Sequence, residues 1–229
     1  LWLSAMSSVI RHWEQVLLSE NVRQSHRPEI VLQMGTRMVS KRYQQFLEES
    51  RPAVYAVLTA DPRRHDPGHL VTHRFQFSTL QAMAALQQAL PPADSEWLAD
   101  WQAASAAVGR VLAEHLCVND EISEPGIAAE LVRSLPPGFG LFVASSMPVR
   151  DLDMYGAALL KEGEDRVIPV GSNRGASGID GLVASAAGWS HGSKRPVAAL
   201  LGDLALLHDL NSLALVREAA QPFEVAEQG

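Results

Sequence analysis

The sequence holds a single cysteine, Cys117, among its 229 residues, so no disulfide can form within the chain and no cysteine-cluster metal site can be built. That usage fits a reducing compartment, and core filling is the role expected of the thiol. Long apolar runs are also missing. No stretch approaches the roughly 20 residues that a membrane-spanning helix needs, because Asp, Arg or Gly interrupts each one. Membrane insertion is therefore not expected. Residues 1–18 are partly apolar but carry Arg11, His12 and Glu14, and they lack the basic lead, clean apolar segment and cleavage site of a secretory leader. Because the sequence starts at Leu1 rather than Met, further residues are expected upstream. Basic charge is scarce too: 19 Lys and Arg against 26 Asp and Glu leave a net charge of −7, which opposes a phosphate-tracking surface and argues against nucleic acid as a partner. No internal repeat or low-complexity tract is visible.

What remains is a chain whose hydrophobic residues, 47% of the total, suffice for one or two buried cores. Ile30, Val31, Leu32, Gln33 and Met34 form a short apolar run that stops at Gly35 and reads as a buried strand. Residues 37–50 place Met38, Tyr43, Phe46 and Leu47 at helical spacing, and residues 53–58 form a second apolar run. Strand, helix and strand in so short a span predict a βαβ unit with a parallel sheet. Residues 59–77, rich in Asp, Arg, His and Pro, are expected to loop over the sheet edge. Residues 80–116 are helical in pattern, broken at Pro91 and Pro92, with Asp94 or Ser95 able to cap the second helix; this is the expected interdomain connector. A second α/β region follows. It should contain a helix over 125–135, a turn at Pro136-Pro137-Gly138, strands over 141–144, 167–170 and 197–201, a doubtful strand at 223–225, and helices over 149–160, 179–189 and 209–220.

Two features carry chemistry. Ser172-Asn173-Arg174-Gly175-Ala176-Ser177-Gly178-Ile179-Asp180-Gly181 follows a strand and opens a helix. Its small residues Gly178, Gly181, Ser185 and Gly188 fall near one helical stripe, where a backbone or a ligand can approach closely. A packing turn would explain the glycines alone. Arg174, a fixed cationic fork beside free backbone donors at a strand end, suits a carboxylate or phosphate. The second feature is Leu201-Gly202-Asp203-Leu204 at the end of the 197–201 strand. An Asp there can hold a hard cation such as magnesium, since ligands of open parallel sheets collect at the carboxyl ends of the strands. It can equally cap the next helix.

Together, Arg174-Gly-Ala-Ser-Gly-Ile-Asp-Gly181, Gly202-Asp203-Leu204 and His208-Asp209-Leu210-Asn211 resemble the 2-succinyl-5-enolpyruvyl-6-hydroxy-3-cyclohexene-1-carboxylate synthase family of thiamine diphosphate enzymes. Gln33-Met-Gly-Thr-Arg-Met-Val-Ser-Lys-Arg42 is similar to that family's middle-domain strand and helix, and Ser145-Ser-Met-Pro-Val-Arg150 to the opening of its diphosphate domain. The resemblance implies an α/β fold of parallel-sheet units with flanking helices: a middle domain over residues 1–115 and an incomplete thiamine diphosphate-binding domain over 116–229. It implies a parent enzyme of menaquinone or phylloquinone biosynthesis, a transferase that decarboxylates 2-oxoglutarate and joins the resulting carbanion to isochorismate. The cofactors implied are thiamine diphosphate and Mg2+ or Mn2+. Lys41, Arg150 and Arg174 fall on the family's substrate-binding basic positions, Ser146, Gly202 and Asp203 on cofactor positions, and Asp203 on the metal ligand. Lys41 could instead lie on a solvated helix face, and Arg150 could pair on the surface with Asp151 or Asp153.

The Glu that activates the cofactor in this family has no counterpart here, so no catalytic residue is assigned, and the fragment alone is expected to be inactive. A homo-oligomeric parent, dimer or tetramer, in the cytoplasm or in the plastid of a photosynthetic eukaryote is further implied. The alternatives are another thiamine-dependent carboligase or decarboxylase, such as an acetohydroxyacid synthase relative, disfavoured because those usually read Gly-Asp-Gly where this chain has Gly202-Asp203-Leu204, and a scaffold fragment that keeps the fold without binding cofactor.

Overall fold

A computed structural model describes residues 2–3, 9–35, 38, 40–89, 96–116, 122–161, 164, 166–173 and 178–219. In chain order the elements are β1 (Trp2–Leu3), α1 (Trp13–Val16), α2 (Glu20–Ser25), β2 (Ile30–Met34), α3 (Lys41–Ser50), β3 (Val54–Thr59), β4 (His73–Gln76), α4 (Thr79–Ala89), α5 (Glu96–Leu116), α6 (Glu124–Ser134), β5 (Gly140–Val143), α7 (Met147–Tyr155), β6 (Arg166–Val167), β7 (Val170–Gly171), α8 (Leu182–Ser193), β8 (Val197–Leu200), α9 (Asp203–His208) and α10 (Leu213–Ala219). A single 3-10 turn, Leu210–Ser212, leads into α10. The chain forms two compact units, His12–Val108 and the combination of Leu1–Arg11 with Gly109–Gly229, so the division falls inside α5.

The unit His12–Val108 is built on a parallel sheet in the order β2-β3-β4. β3 is the middle strand, and its Tyr55, Ala56, Val57, Leu58 and Thr59 are all buried. One face of the sheet carries Val31, Tyr55 and Val57 against Leu47 and Tyr43 of α3. α3 starts where the Ser40 hydroxyl accepts the Tyr43 amide and stops at Arg51, whose left-handed φ of 45° turns the chain toward β3. The loop expected over 59–77 is only partly a loop, because His73–Gln76 pairs in parallel with β3 as an edge strand. Phe75 is the one apolar residue in that strand, and the segment is mostly exposed, so backbone pairing rather than side-chain alternation makes it a strand. Asp66 orders the preceding turn by accepting the Leu70 and Val71 amides at 3.0 and 3.2 Å.

The other unit contains a parallel sheet in the order β7-β5-β8 and a separate antiparallel pair, β1-β6. β5 lies in the middle and is buried throughout. Its period-2 alternation separates two cores: Leu141 and Val143 join Val132, Leu135, Leu152 and Ile168, while Phe142 packs with Ala144, Leu182, Ala186 and Ala205. Each fully buried aliphatic chain here contributes about 1.5–3 kcal/mol. Trp189 of α8 lies against Gly140 and Gly171, where an added Cβ would come within 2.8 and 3.0 Å of the indole. The strand expected over 167–170 is split into β6 and β7. A further helix, α9, occupies 203–208, and the helix expected over 209–220 begins as the 3-10 turn. The Asp94 or Ser95 cap, Cys117 and the 223–225 strand lie outside the described residues.

Candidate functional site

Within the unit of β5, β7 and β8, the strands' carboxyl ends open into a cavity of about 540 Å³. Its walls come from three strand-to-helix junctions and from α6. The junction after β5 is the tightest: Ala144 is buried, Ser145 is exposed, and Ser146 bears φ 73° and ψ −128° before α7 begins at Met147. That is a positive-φ conformation that side-chain-bearing residues seldom adopt, and the N-terminus of α7 has no side-chain cap. The Ser145 hydroxyl donates to the Asn173 carbonyl at 3.4 Å, and the Asn173 amide group donates to the Ser185 hydroxyl at 3.0 Å. These two bonds tie the β5 end to the residue that precedes Arg174 and to α8.

After β8, Gly202 is the N-cap of α9 in extended conformation, and Asp203 is the helix's first residue and is exposed. Both line the cavity. Among the described residues, nothing comes within 4 Å of a Cβ placed on Gly202 and only the Asp180 carboxylate comes that near at Gly178, so ligand atoms can reach the backbone at these two cavity positions. Among the described residues, no three His, Cys, Asp or Glu side chains converge to hold a metal. Asp203 could give a divalent ion one hard oxygen, with ligand and backbone oxygens completing the shell.

Of the other residues picked out in the sequence, Arg150 lies on α7, exposed, with a loose 3.9 Å contact to the Met147 sulfur. It forms no ion pair with Asp151 among the described residues, because Asp151 turns inward and is only 2% exposed. Lys41 is the exposed first residue of α3 in the other unit. Arg174 lies outside the described residues. Ser146, Gly202 and Asp203 are thus the three that the fold gathers on one cavity.

Two buried acids near the cavity had no clear sequence signal. Asp209, read only as a piece of a motif, is 9% exposed and accepts the Val183 amide at 2.7 Å and the Ser212 hydroxyl at 2.6 Å. It clamps the N-terminus of α8 from across the chain. The Ser212 hydroxyl and the backbone amides of α8 hold its carboxyl below the usual range. His208 and Asp180 make an exposed contact at 3.3 Å nearby. The second is Asp151 itself, which lines the cavity with Glu124. Burial, then the neighbouring Glu124, pushes its carboxyl up.

Residues 2–143 match the family model described as the middle domain of thiamine pyrophosphate. The chain is 44% identical over 211 residues to the 2-succinyl-5-enolpyruvyl-6-hydroxy-3-cyclohexene-1-carboxylate synthase of Salinibacter ruber, covering 91% of this chain and 35% of that protein. It is 47% identical over 191 residues to the synthase of the same name from Rubrobacter xylanophilus, covering 83% of this chain and 32% of that protein. With Protein PHYLLO, chloroplastic, of Arabidopsis thaliana, it shares 37% identity over 221 residues, which is 91% of this chain and 13% of that one. The chain thus spans about a third of the length of the two synthases it matches. A family match over more than half of the residues, on parallel α/β units of the expected kind, places this chain in the thiamine pyrophosphate enzyme middle-domain family.

Proposed function

We propose that the chain forms part of a thiamine diphosphate-dependent synthase that uses 2-oxoglutarate and isochorismate to make 2-succinyl-5-enolpyruvyl-6-hydroxy-3-cyclohexene-1-carboxylate, on the way to menaquinone or phylloquinone. The observation that carries this reading is the meeting of Ser146, Gly202 and Asp203 on one cavity at the carboxyl ends of a parallel sheet. The names of the similar synthases support it. Bound thiamine diphosphate supplies the nucleophilic carbon and the electron sink for decarboxylating a 2-oxo acid. The chain's own residues hold and orient. Asp203 gives a carboxylate oxygen to Mg2+ or Mn2+, the bare backbone at Gly202 lets the diphosphate approach, and Ser146 offers its hydroxyl. Lys41, Arg150 and Arg174 meet the carboxylates of the two substrates. Residues 1–115 act as the middle-domain portion and 116–229 as the first half of the diphosphate domain. Such an enzyme acts as a homo-oligomer, in the cytoplasm or, in a photosynthetic eukaryote, in the plastid, as the relative named chloroplastic supports.

Asp203 decides between this reading and a scaffold that binds no cofactor. Asp203→Asn keeps one oxygen and removes the charge that balances the metal, so the Mg2+-dependent affinity for thiamine diphosphate should fall at least about tenfold, or roughly 1.4 kcal/mol. A purely local role at the first turn of α9 would leave affinity unchanged. Titration calorimetry of the full-length parent enzyme and of its Asp203→Asn variant, with melting curves beside it, separates the two, and equal affinities would remove Asp203 from the metal site.

A further inference from the structure

The sheet β2-β3-β4 ends in two edges of opposite character. β4 is four residues long, and His73, Arg74 and Gln76 leave it one apolar side chain, Phe75. Short length and a charged side chain are ordinary means of keeping an edge from pairing with another strand. β2 has no such guard: Ile30, Val31, Leu32, Gln33 and Met34 carry no charge and no Pro, and their register with β3 runs unbroken from Ile30↔Val54 to Met34↔Leu58. At the two ends of this ladder the Val54 amide donates to the Glu29 carbonyl at 3.2 Å and the Gly35 amide to the Leu58 carbonyl at 2.9 Å. Backbone groups alternate sides along a strand, so Glu29, Val31, Gln33 and Gly35 face β3, and the N–H and C=O groups of Ile30, Leu32 and Met34 point to the free edge. The side chains of the same three residues are 68%, 38% and 39% exposed. They lie on the face of the sheet opposite α3, whose Tyr43 and Leu47 cover Val31, Tyr55 and Val57. Purely parallel sheets are covered on both faces and their inner strands read as near-continuous apolar runs, which is the pattern of β2 and not of β4.

We propose that β2 is an inner strand of a larger parallel sheet, and that its free edge takes one further strand, parallel and aliphatic, from the part of the parent polypeptide beyond these 229 residues. This rests on the reading of the chain as a portion of a longer synthase, though not on its cofactor site. The two similar synthases are about three times as long as the stretch they share with this chain, which is ample polypeptide to supply the strand. A parallel neighbour also needs a crossover connection, usually a helix, and that helix can cover the face that carries Ile30, Leu32 and Met34. A second copy of the chain pairing edge to edge would extend the sheet in its own plane and leave that face open.

Amide hydrogen exchange, read by mass spectrometry on fragments that cover β2, β3 and β4, tests this in the 229-residue chain and in the full-length parent enzyme. With β3 as the internal reference, β2 should exchange at least about tenfold more slowly in the parent than in the chain, while β4 keeps its ratio to β3 within about threefold. A ratio for β2 that is the same in both proteins overturns the proposal, and so does protection gained at β4 instead. Sedimentation of the 229-residue chain covers the other occupant: a concentration-dependent dimer that Leu32→Lys abolishes would give the edge to a second copy and overturn the assignment to the parent. In the parent, Leu32→Lys should lower the melting temperature further than Gln76→Lys, and equal melting of the two variants counts against an inner β2. Should the parent carrying Leu32→Lys fail to fold, the exchange ratios of the unsubstituted proteins decide alone. Conversion of 2-oxoglutarate and isochorismate by the parent is measured beside them. A parent that converts neither removes the synthase reading, and the exchange ratios still decide the strand.

Discussion

Ser146 holds a backbone conformation that most side chains avoid, and it does so at the rim of the cavity rather than in a solvent turn. Strain of that kind costs about 1–3 kcal/mol and persists where the surrounding structure enforces it. Ser146→Gly removes the penalty but adds freedom to the unfolded chain, which offsets about 0.4–1 kcal/mol of the gain. Urea denaturation of the variant should therefore give a midpoint equal to or above that of the parent, while thiamine diphosphate binds more weakly for want of the hydroxyl. A variant less stable by more than about 1 kcal/mol would mean that the turn is relaxed as it stands. At this scale the place of Asp203 just after a strand was legible, because the apolar run before it stops at Gly202. The sequence was mute for Asp151, because the inward turn of one acid in Arg150-Asp151-Leu152-Asp153 depends on packing against α6, which no local spacing reveals.

Among the elements, α8 depends on contacts that lie far away in sequence. Its N-terminus is held by Asp209, 26 residues from Val183, and its middle rests on the glycines that accommodate Trp189. Asp209→Ala should lose about 1–2 kcal/mol at neutral pH, the usual effect of removing a capping carboxylate. Because the carboxyl's folded-state pKa is depressed, that contribution is present above the ordinary carboxylate pKa of about 4 and fades as pH falls through the lower folded value. Parent and variant stabilities measured from pH 7 downward should then converge in acid, and a gap that stays constant would show that the interaction is not ionic. Gly140→Ala should lose about 1–3 kcal/mol by pressing a methyl into the indole, and combining it with Trp189→Leu should lose less than the sum of the two single changes. Full additivity in chemical denaturation would separate the glycine from the ring. Most strands and helices could be placed from apolar periodicity, since β2, β3, β5 and β8 are short apolar runs. β4 escaped because His73, Arg74 and Gln76 give it no alternation, and α9 because six residues carry too little pattern.

For the molecule as a whole, the parallel α/β class followed from strand-helix-strand spacing in both halves, and the family resemblance followed from short strings around residues 174–181 and 202–211. What sequence could not supply was the order of the strands. In the unit that carries the cavity, that order is β7-β5-β8, so the earliest of the three strands is the central one. This has a consequence in time. On a ribosome adding about 5–20 residues each second, the stretch from Val143 to Leu200 takes roughly 3–11 s to make. Through that interval β5, apolar on both faces, has been synthesised while its second neighbour has not. Of the three strands in this parallel sheet, the one that leads into the strained serine thus waits longest for its partners, and it is the one most in need of shielding during synthesis.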